Sequence, residues 1–404
     1  MTPANSRPID EMSVQELSQN WYELFNRNAL DLNLDTQYTR ADCIELSEMG
    51  IGTRRIAKEK KLLLLSHYYM RPEIQKVSDF VHDSLGLGLK TQELIQDQAN
   101  TVSAVWLSAV RFMGDTVKII LGDNMPVYMP RFSGCSLVAS LHSIPFNYKQ
   151  HSEHETSLKL LQKLQSEHPV DVWLKKNSDG IVLSYMNSDP ESKRKSWSVF
   201  TSRNAMKVLE SAMRENPGKR IYMLPDQFLS NFVLNMARVA NNPWIKPELV
   251  DIFDGLCHVH AQKISPLALD EALSKYPNAA LVVHPECGCA VDCFVRVAKG
   301  LIPRPTFIGS TQEMIEYAKR PDIPDEIIVA TEAGHVFTLR DLVPNKTFYP
   351  VTSQATCEFM KATKLLDLYS AINDPDWNQY KVRLSSEIIK DARPAIDRMR
   401  ANAS

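Results

Sequence analysis

The sequence predicts an α/β protein made of three related αβα units with parallel sheets, packed about a pseudo-threefold axis with the active site at their junction and preceded by a helical N-terminal extension. Three observations lead there. The apolar runs KLLLLSHYY, VSAVWLSAV, GIVLSYMN, WSVFTS, RIYMLPDQ, AALVVHPE, TFIGS and EIIVATEAG are continuous rather than alternating, as in strands buried on both faces. Amphipathic stretches lie between them and read as the helices that cover a parallel sheet. The chain also repeats itself. Three of the strands end in polar side chains two residues apart, which share a face: His67 and Tyr69, Tyr185 and Asn187, His284 and Glu286. An isolated cysteine follows each pair, Cys135, Cys257 and Cys357, at intervals of 68, 72 and 73 residues from the first member.

Composition narrows the function. A chain of 404 residues with 44% hydrophobic and 23% charged residues is long for one core and suits several domains. Its net charge of −2 offers no basic surface for a polyanion, so a nucleic-acid partner is not expected and small-molecule substrates are. No apolar run approaches the roughly 18 residues that would span a bilayer, and the start MTPANSRPIDEMSVQEL lacks signal-peptide character. The expected location is the cytoplasm, without membrane contact. There, seven cysteines read as reduced packing groups, nucleophiles or metal ligands rather than as a disulfide framework.

In chain order, residues 1–58 read as a mostly helical extension, with Ser13 as an N-cap three residues before Glu16. The three αβα units are expected over 59–178, 179–277 and 278–375, followed by a C-terminal helical segment over 376–404. Inside the first unit, ETSLKLLQKLQ reads as an amphipathic helix. A serine recurs after each polar pair: Ser84 and Ser202 both 17 residues beyond its first member, and Ser310 at 26. Ser84 and Ser202 suit helix caps or anion contacts, because both uses draw on the same exposed N–H groups.

The displacement of Ser310 coincides with HPECGCAVDC, which packs Cys287, Cys289 and Cys293 into ten residues. Its C-x-C-x3-C spacing matches no ordinary zinc knuckle, and its members recur in neither sister unit. They read as packing cysteines within an insertion of about nine residues. Cys43 has no assigned role. If the units face a common axis, Cys135, Cys257 and Cys357 converge instead. Three thiolates suit three irons of a [4Fe–4S] cluster with one iron left open, or a catalytic zinc, and the spacing leaves both open.

The motifs resemble the quinolinate synthase family, as a divergent member. HYYMRPEIQKVSDFVHDSLGL, GCSL around Cys135, YMN, TSRNAMKVLE, LPDQFL, GLCHVH around Cys257, HPEC, IGST, ATEAG and the C-x-x-M around Cys357 follow in family order over residues 55 to 372. The resemblance implies a [4Fe–4S] cluster held by Cys135, Cys257 and Cys357. It implies condensation of iminoaspartate with dihydroxyacetone phosphate to quinolinate for NAD biosynthesis, losing phosphate and two waters. An L-aspartate oxidase or dehydrogenase would supply the iminoaspartate. His67, Ser84, Tyr185, Asn187, Ser202, Ser310 and Thr311 match the family's carboxylate- and phosphate-binding positions. Glu286, Tyr69, His284 and His260 match its catalytic set, with Glu286 as general base.

The chain departs from the family in its extension, in the long stretch between GCSL and YMN, in TCEFM at the last cysteine, and in Arg203 beside Ser202. Arg203 suits an anionic substrate or a surface carboxylate. Three alternatives share these residues: a paralogue making a related pyridine carboxylate, a non-catalytic iron–sulfur sensor or scaffold, and a zinc-dependent aldol or dehydratase enzyme.

Overall fold

The computed structural model describes residues 7–32, 38–97, 102–142 and 167–402, and the expected helix ETSLKLLQKLQ lies outside them. It contains three four-stranded sheets of one topology. β1 (Leu62–His67), β2 (Phe80–His82), β3 (Ala104–Ser108) and β4 (Val127–Tyr128) stand in the order β2-β1-β3-β4. β5 (Ile181–Tyr185), β6 (Ser198–Phe200), β7 (Ile221–Leu224) and β8 (Val250–Ile252) stand as β6-β5-β7-β8. β9 (Ala280–Val283), β10 (Thr306–Ile308), β11 (Glu326–Ala330) and β12 (Thr347–Pro350) stand as β10-β9-β11-β12. Every pairing within the sheets is parallel. The central strands β1, β3, β5, β7 and β9 are buried along their whole length, which is why they appear as unbroken apolar runs.

This topology positions the site. In each sheet the chain leaves the first strand toward one neighbour and then crosses to the other side, so a crevice opens at the carboxyl ends between the first and third strands. The last pairs across that boundary are Ser66 with Ser108, Ser184 with Leu224 and Val283 with Ala330. The next residues are His67, Tyr185 and His284, so the three polar pairs occupy equivalent places in the three sheets.

The crossover between first and second strands carries a short helix in each sheet, at Pro72–Val77, Pro190–Arg194 and Ala290–Ala298. Residues 68–79 and 186–197 make the first two crossovers, and residues 284–305 make the longer third one. The cysteine-rich stretch lies in that longer connection. Cys287, Cys289 and Cys293 are buried in an apolar cluster with Val259, Ile264, Leu269 and Val283. The extra length thus forms hydrophobic packing beneath the third sheet.

Two N-terminal helices, Val14–Leu32 and Arg40–Glu59, pack on this body; Ser13 Oγ accepts from Glu16 N–H at the start of the first. Trp21 lies so close to Gly50 that a Cβ there would come within 2.6 Å of its ring, and Gly52 meets Tyr369 at 2.7 Å. The second helix is therefore held between the first helix and the helix Leu365–Asn373 at two positions where only glycine fits. The C-terminal helix Ser386–Ala401 covers β6 and the helices Arg111–Leu121 and Pro190–Arg194, and its Met399 carbonyl accepts from Asn204 at 3.1 Å. No described helix is long and apolar enough to cross a membrane.

Candidate active site

A cavity opens where the carboxyl ends of the three sheets meet. Its wall includes His67, Tyr69, Ser84 and Cys135 from the first sheet, and Tyr185, Asn187, Ser202, Cys257 and His260 from the second. The third contributes His284, Glu286, Ser310, Thr311 and Cys357. Every residue singled out from the sequence as a site residue therefore faces one space, although the set spans the chain from 67 to 357. Cys43, Cys287, Cys289 and Cys293 are buried elsewhere.

The three isolated cysteines share a local structure. Cys135 is the N-cap of Ser136–Leu141, Cys257 of a π-helical turn at His258–Lys263, and Cys357 of Glu358–Ala362. Burial pushes the Cys135 thiol up to about 11 and the Cys357 thiol to about 12, and raises Cys257 as well. Backbone N–H groups of the following turn oppose this: Leu137 and Val138 at Cys135, His260 at Cys257, Met360 at Cys357. Such thiols ionise when a cation shares the cavity, and the neighbouring N–H groups favour the thiolate form. Three soft donors around one buried space fit the three-thiolate ligand set of an iron–sulfur cluster.

Next to the thiols lies a network of acid–base groups. Tyr69 Oη and His260 Nε2 both meet Thr331 Oγ1, at 2.8 and 3.0 Å. Glu286 Oε1 accepts a hydrogen bond from Tyr185 Oη, and Glu286 Oε2 lies 3.5 Å from His260 Nδ1. The His260 and His284 rings are 5.0 Å apart, and the Glu286 N–H donates to His284 Nδ1 at 3.4 Å. Burial, reinforced by the negative charge of Asp226, pushes the Glu286 carboxyl up to about 8, while the Tyr185 hydroxyl opposes the shift. Burial lowers His67 and His260 to about 3 and takes His284 well below its ordinary value, so these imidazoles are neutral hydrogen-bonding groups. A carboxyl raised above its ordinary range among neutral imidazoles is equipped to take and return a proton.

The polar rim resolves several readings left open by the sequence. Asn187 Oδ1 is buried without a partner, so this oxygen is not spent on closing a turn and remains available to a ligand. Neither Ser84 nor Ser202 caps a helix. Asp83 Oδ1 accepts from Gly86 N–H at the start of Ser84–Asp97, and Asn204 is the N-cap of Ala205–Glu215. Ser310, by contrast, forms a capping box with Glu313 at the head of Thr311–Ala318. Arg203 reaches the cavity wall while its guanidinium stands 3.9 Å from Glu313 and 4.0 Å from Glu316.

Sequence reasoning passed over three buried groups. Thr331 is the shared partner of Tyr69 and His260. Asp226 and Glu332 stand two residues beyond the ends of β7 and β11; the Glu332 carboxylate accepts from the Cys357 N–H at 3.0 Å, and the Cys257 backbone favours the ionised form of Asp226. All three lie inside quoted motifs, LPDQFL and ATEAG. The signal that could have found the two carboxylates is their equal offset from equivalent strands; Val110 holds that place after β3.

Three like-wound parallel sheets that bring titratable strand-end groups and three buried thiols to one cavity define an α/β enzyme with a donor set for a metal centre. Comparison with known proteins gives the family. Residues 52–401 match the family model described as Quinolinate synthetase A protein. Quinolinate synthase of Pyrobaculum aerophilum is 30% identical over 346 residues, 85% of this chain and 96% of that protein. Quinolinate synthase of Thermus thermophilus is 32% identical over 347 residues, 85% and 94% of the two chains. That of a Sulfurihydrogenibium species is 31% identical over 355 residues, 86% and 96%. The chain belongs to the quinolinate synthase family.

Proposed function

We propose that this chain condenses iminoaspartate with dihydroxyacetone phosphate to quinolinate, releasing phosphate and two waters, with a [4Fe–4S] cluster held by Cys135, Cys257 and Cys357. The observation that carries this reading is the convergence of those cysteines, one from each sheet, on the cavity that also contains Glu286. Each of the units 59–178, 179–277 and 278–375 supplies one ligand and one strand-end polar pair. When bound, the cluster supplies an open iron that withdraws electron density from a substrate oxygen or nitrogen.

The protein's own residues bind the substrates and move protons. His67, Ser84, Tyr185, Asn187, Ser202, Ser310 and Thr311 are hydrogen-bonding groups for the carboxylates and the phosphate, and the buried, unpartnered Asn187 Oδ1 gains from a donor on the ligand. Enolisation and loss of two waters need a group that removes a proton from carbon and returns one to a leaving hydroxyl. Glu286 meets that need, since burial raises its carboxyl above the ordinary carboxylate range and its Oε2 stands 3.5 Å from His260. Tyr69, His260 and Thr331 form a hydrogen-bonded path beside it, and His284 orients its backbone. The imine hydrolyses in water, so an L-aspartate oxidase or dehydrogenase is the appropriate source of iminoaspartate.

The test is an anaerobic assay of the reconstituted chain, with iminoaspartate generated in the cuvette and dihydroxyacetone phosphate added. Quinolinate is expected only when both substrates are present. A chain with an intact cluster that forms none would overturn the assignment and favour the paralogue.

A further inference from the structure

We propose that the chain without its cluster binds a single zinc ion at Cys257, His260 and Glu286, a mononuclear site that excludes the cluster because both need the Cys257 thiolate. This goes beyond the proposed function and uses only one of the cysteines assigned there.

The geometry is that of a tetrahedral ion with one position open. Among the described residues, Cys257, His260 and Glu286 form the one group of His, Cys, Asp and Glu whose ligand atoms all lie within 4.8 Å of one another. His260 Nδ1 is 3.3 Å from Cys257 Sγ and 3.5 Å from Glu286 Oε2. Ordinary zinc bond lengths with tetrahedral angles imply about 3.6 Å between nitrogen and sulfur and about 3.4 Å between nitrogen and oxygen. The two separations from His260 therefore already match zinc spacing, and Cys257 Sγ and the Glu286 carboxylate lie within 4.8 Å of each other.

The surrounding groups orient two of these donors. With His260 Nε2 donating to Thr331 Oγ1 at 3.0 Å, Nδ1 carries the lone pair and faces the sulfur and the carboxylate. Tyr185 Oη fixes Glu286 through Oε1 and leaves Oε2 toward His260. Three protein ligands of mixed N, S and O type, with the fourth direction opening into a cavity, make a site of the catalytic-zinc kind. Cys135 and Cys357 lie outside the group, which separates this site from the three-thiolate one.

The experiment uses the full-length chain, reduced and stripped of metal, titrated with Co²⁺ as the spectroscopic probe and then with Zn²⁺. One equivalent of Co²⁺ should produce thiolate-to-cobalt charge-transfer absorption and tetrahedral d–d bands, both removed by one equivalent of zinc. Cys257→Ala should abolish the charge-transfer band. His260→Ala and Glu286→Gln should weaken binding, and Thr331→Val should weaken it by about 10- to 100-fold. Cys135→Ala, Cys357→Ala and Cys289→Ala should each still bind one equivalent. Loss of the band in any of those three, or unchanged affinity in both His260→Ala and Glu286→Gln, would overturn the site; Glu286→Gln preserves shape and so guards against a folding artefact. In the same series, zinc-loaded chain given iron and sulfide anaerobically should take up less than about a tenth of the iron taken up by zinc-free chain, and recover after chelation. Equal uptake would refute mutual exclusion. Cluster assembly on the zinc-free chain is read independently, so failure of the zinc site and failure of the cluster assignment are distinguishable.

Discussion

Glu286→Gln is expected to keep the iron content of the wild-type chain and to lower kcat for quinolinate formation by about 10²- to 10⁴-fold, the range contributed by a positioned general acid–base. Glutamine preserves the acceptor for Tyr185 Oη and nearly the same volume, so packing around the side chain is retained. What it removes is the proton. Burial and the neighbouring Asp226 raise the Glu286 carboxyl well above the ordinary carboxylate range, which favours its exchanging a proton, and an amide cannot follow. KM for dihydroxyacetone phosphate should change little, since the phosphate and carboxylate contacts are assigned to other residues of the wall. Steady-state rates paired with iron analysis provide the check, and a kcat within a few-fold of wild type would remove Glu286 from its role.

Lys361→Met is expected to destabilise the apo chain by about 3 kcal/mol, toward the lower end of the cost of leaving a buried charge unpaired, because the lysine side chain retains 18% exposure. Glu332 is fully buried, and Lys361 Nζ lies 3.2 Å from its Oε1. The same Nζ donates to the Tyr69 carbonyl, and the Glu332 carboxylate accepts from the N–H groups of Cys357 at 3.0 Å and Gly334 at 2.8 Å. A Cβ at Gly334 would lie 2.3 Å from Nζ, so the lysine reaches this place only past a glycine. The ion pair thus ties the last cysteine to the backbone of Tyr69 across two sheets. Urea unfolding measures the loss, and the double variant Lys361→Met/Glu332→Gln should recover part of it by removing the stranded carboxylate. No change in the single variant would mean that the pair holds nothing.

The sequence was most informative where burial is two-sided. The runs at β1, β3, β5, β7, β9 and β11 are continuous and apolar, and they were legible together with β6 and β10. β2, β4, β8 and β12 were not. They are edge strands of two to four residues, only β4 and β12 include a buried residue, and so none carries an unbroken apolar run. The strand-end pairs were legible because residues two apart share a face and because the chain repeats them. Thr331 was not, because it meets Tyr69 across 262 residues and His260 across 71. The N-cap placement of the three cysteines likewise emerges only in three dimensions. The dense group from Cys287 to Cys293 shows the converse: closeness in sequence placed those thiols in an apolar cluster, whereas the cysteines that share the cavity are roughly a hundred residues apart.

The most direct test of the central claim is iron and sulfide content across single cysteine variants reconstituted anaerobically. Wild type, Cys289→Ala and Cys293→Ala should each hold about four irons and four sulfides per chain, with the brown absorption of a [4Fe–4S] centre. Cys135→Ala, Cys257→Ala and Cys357→Ala should each lose them. A full cluster in any of those three, or its loss in Cys289→Ala or Cys293→Ala, would contradict the assignment of one ligand to each sheet.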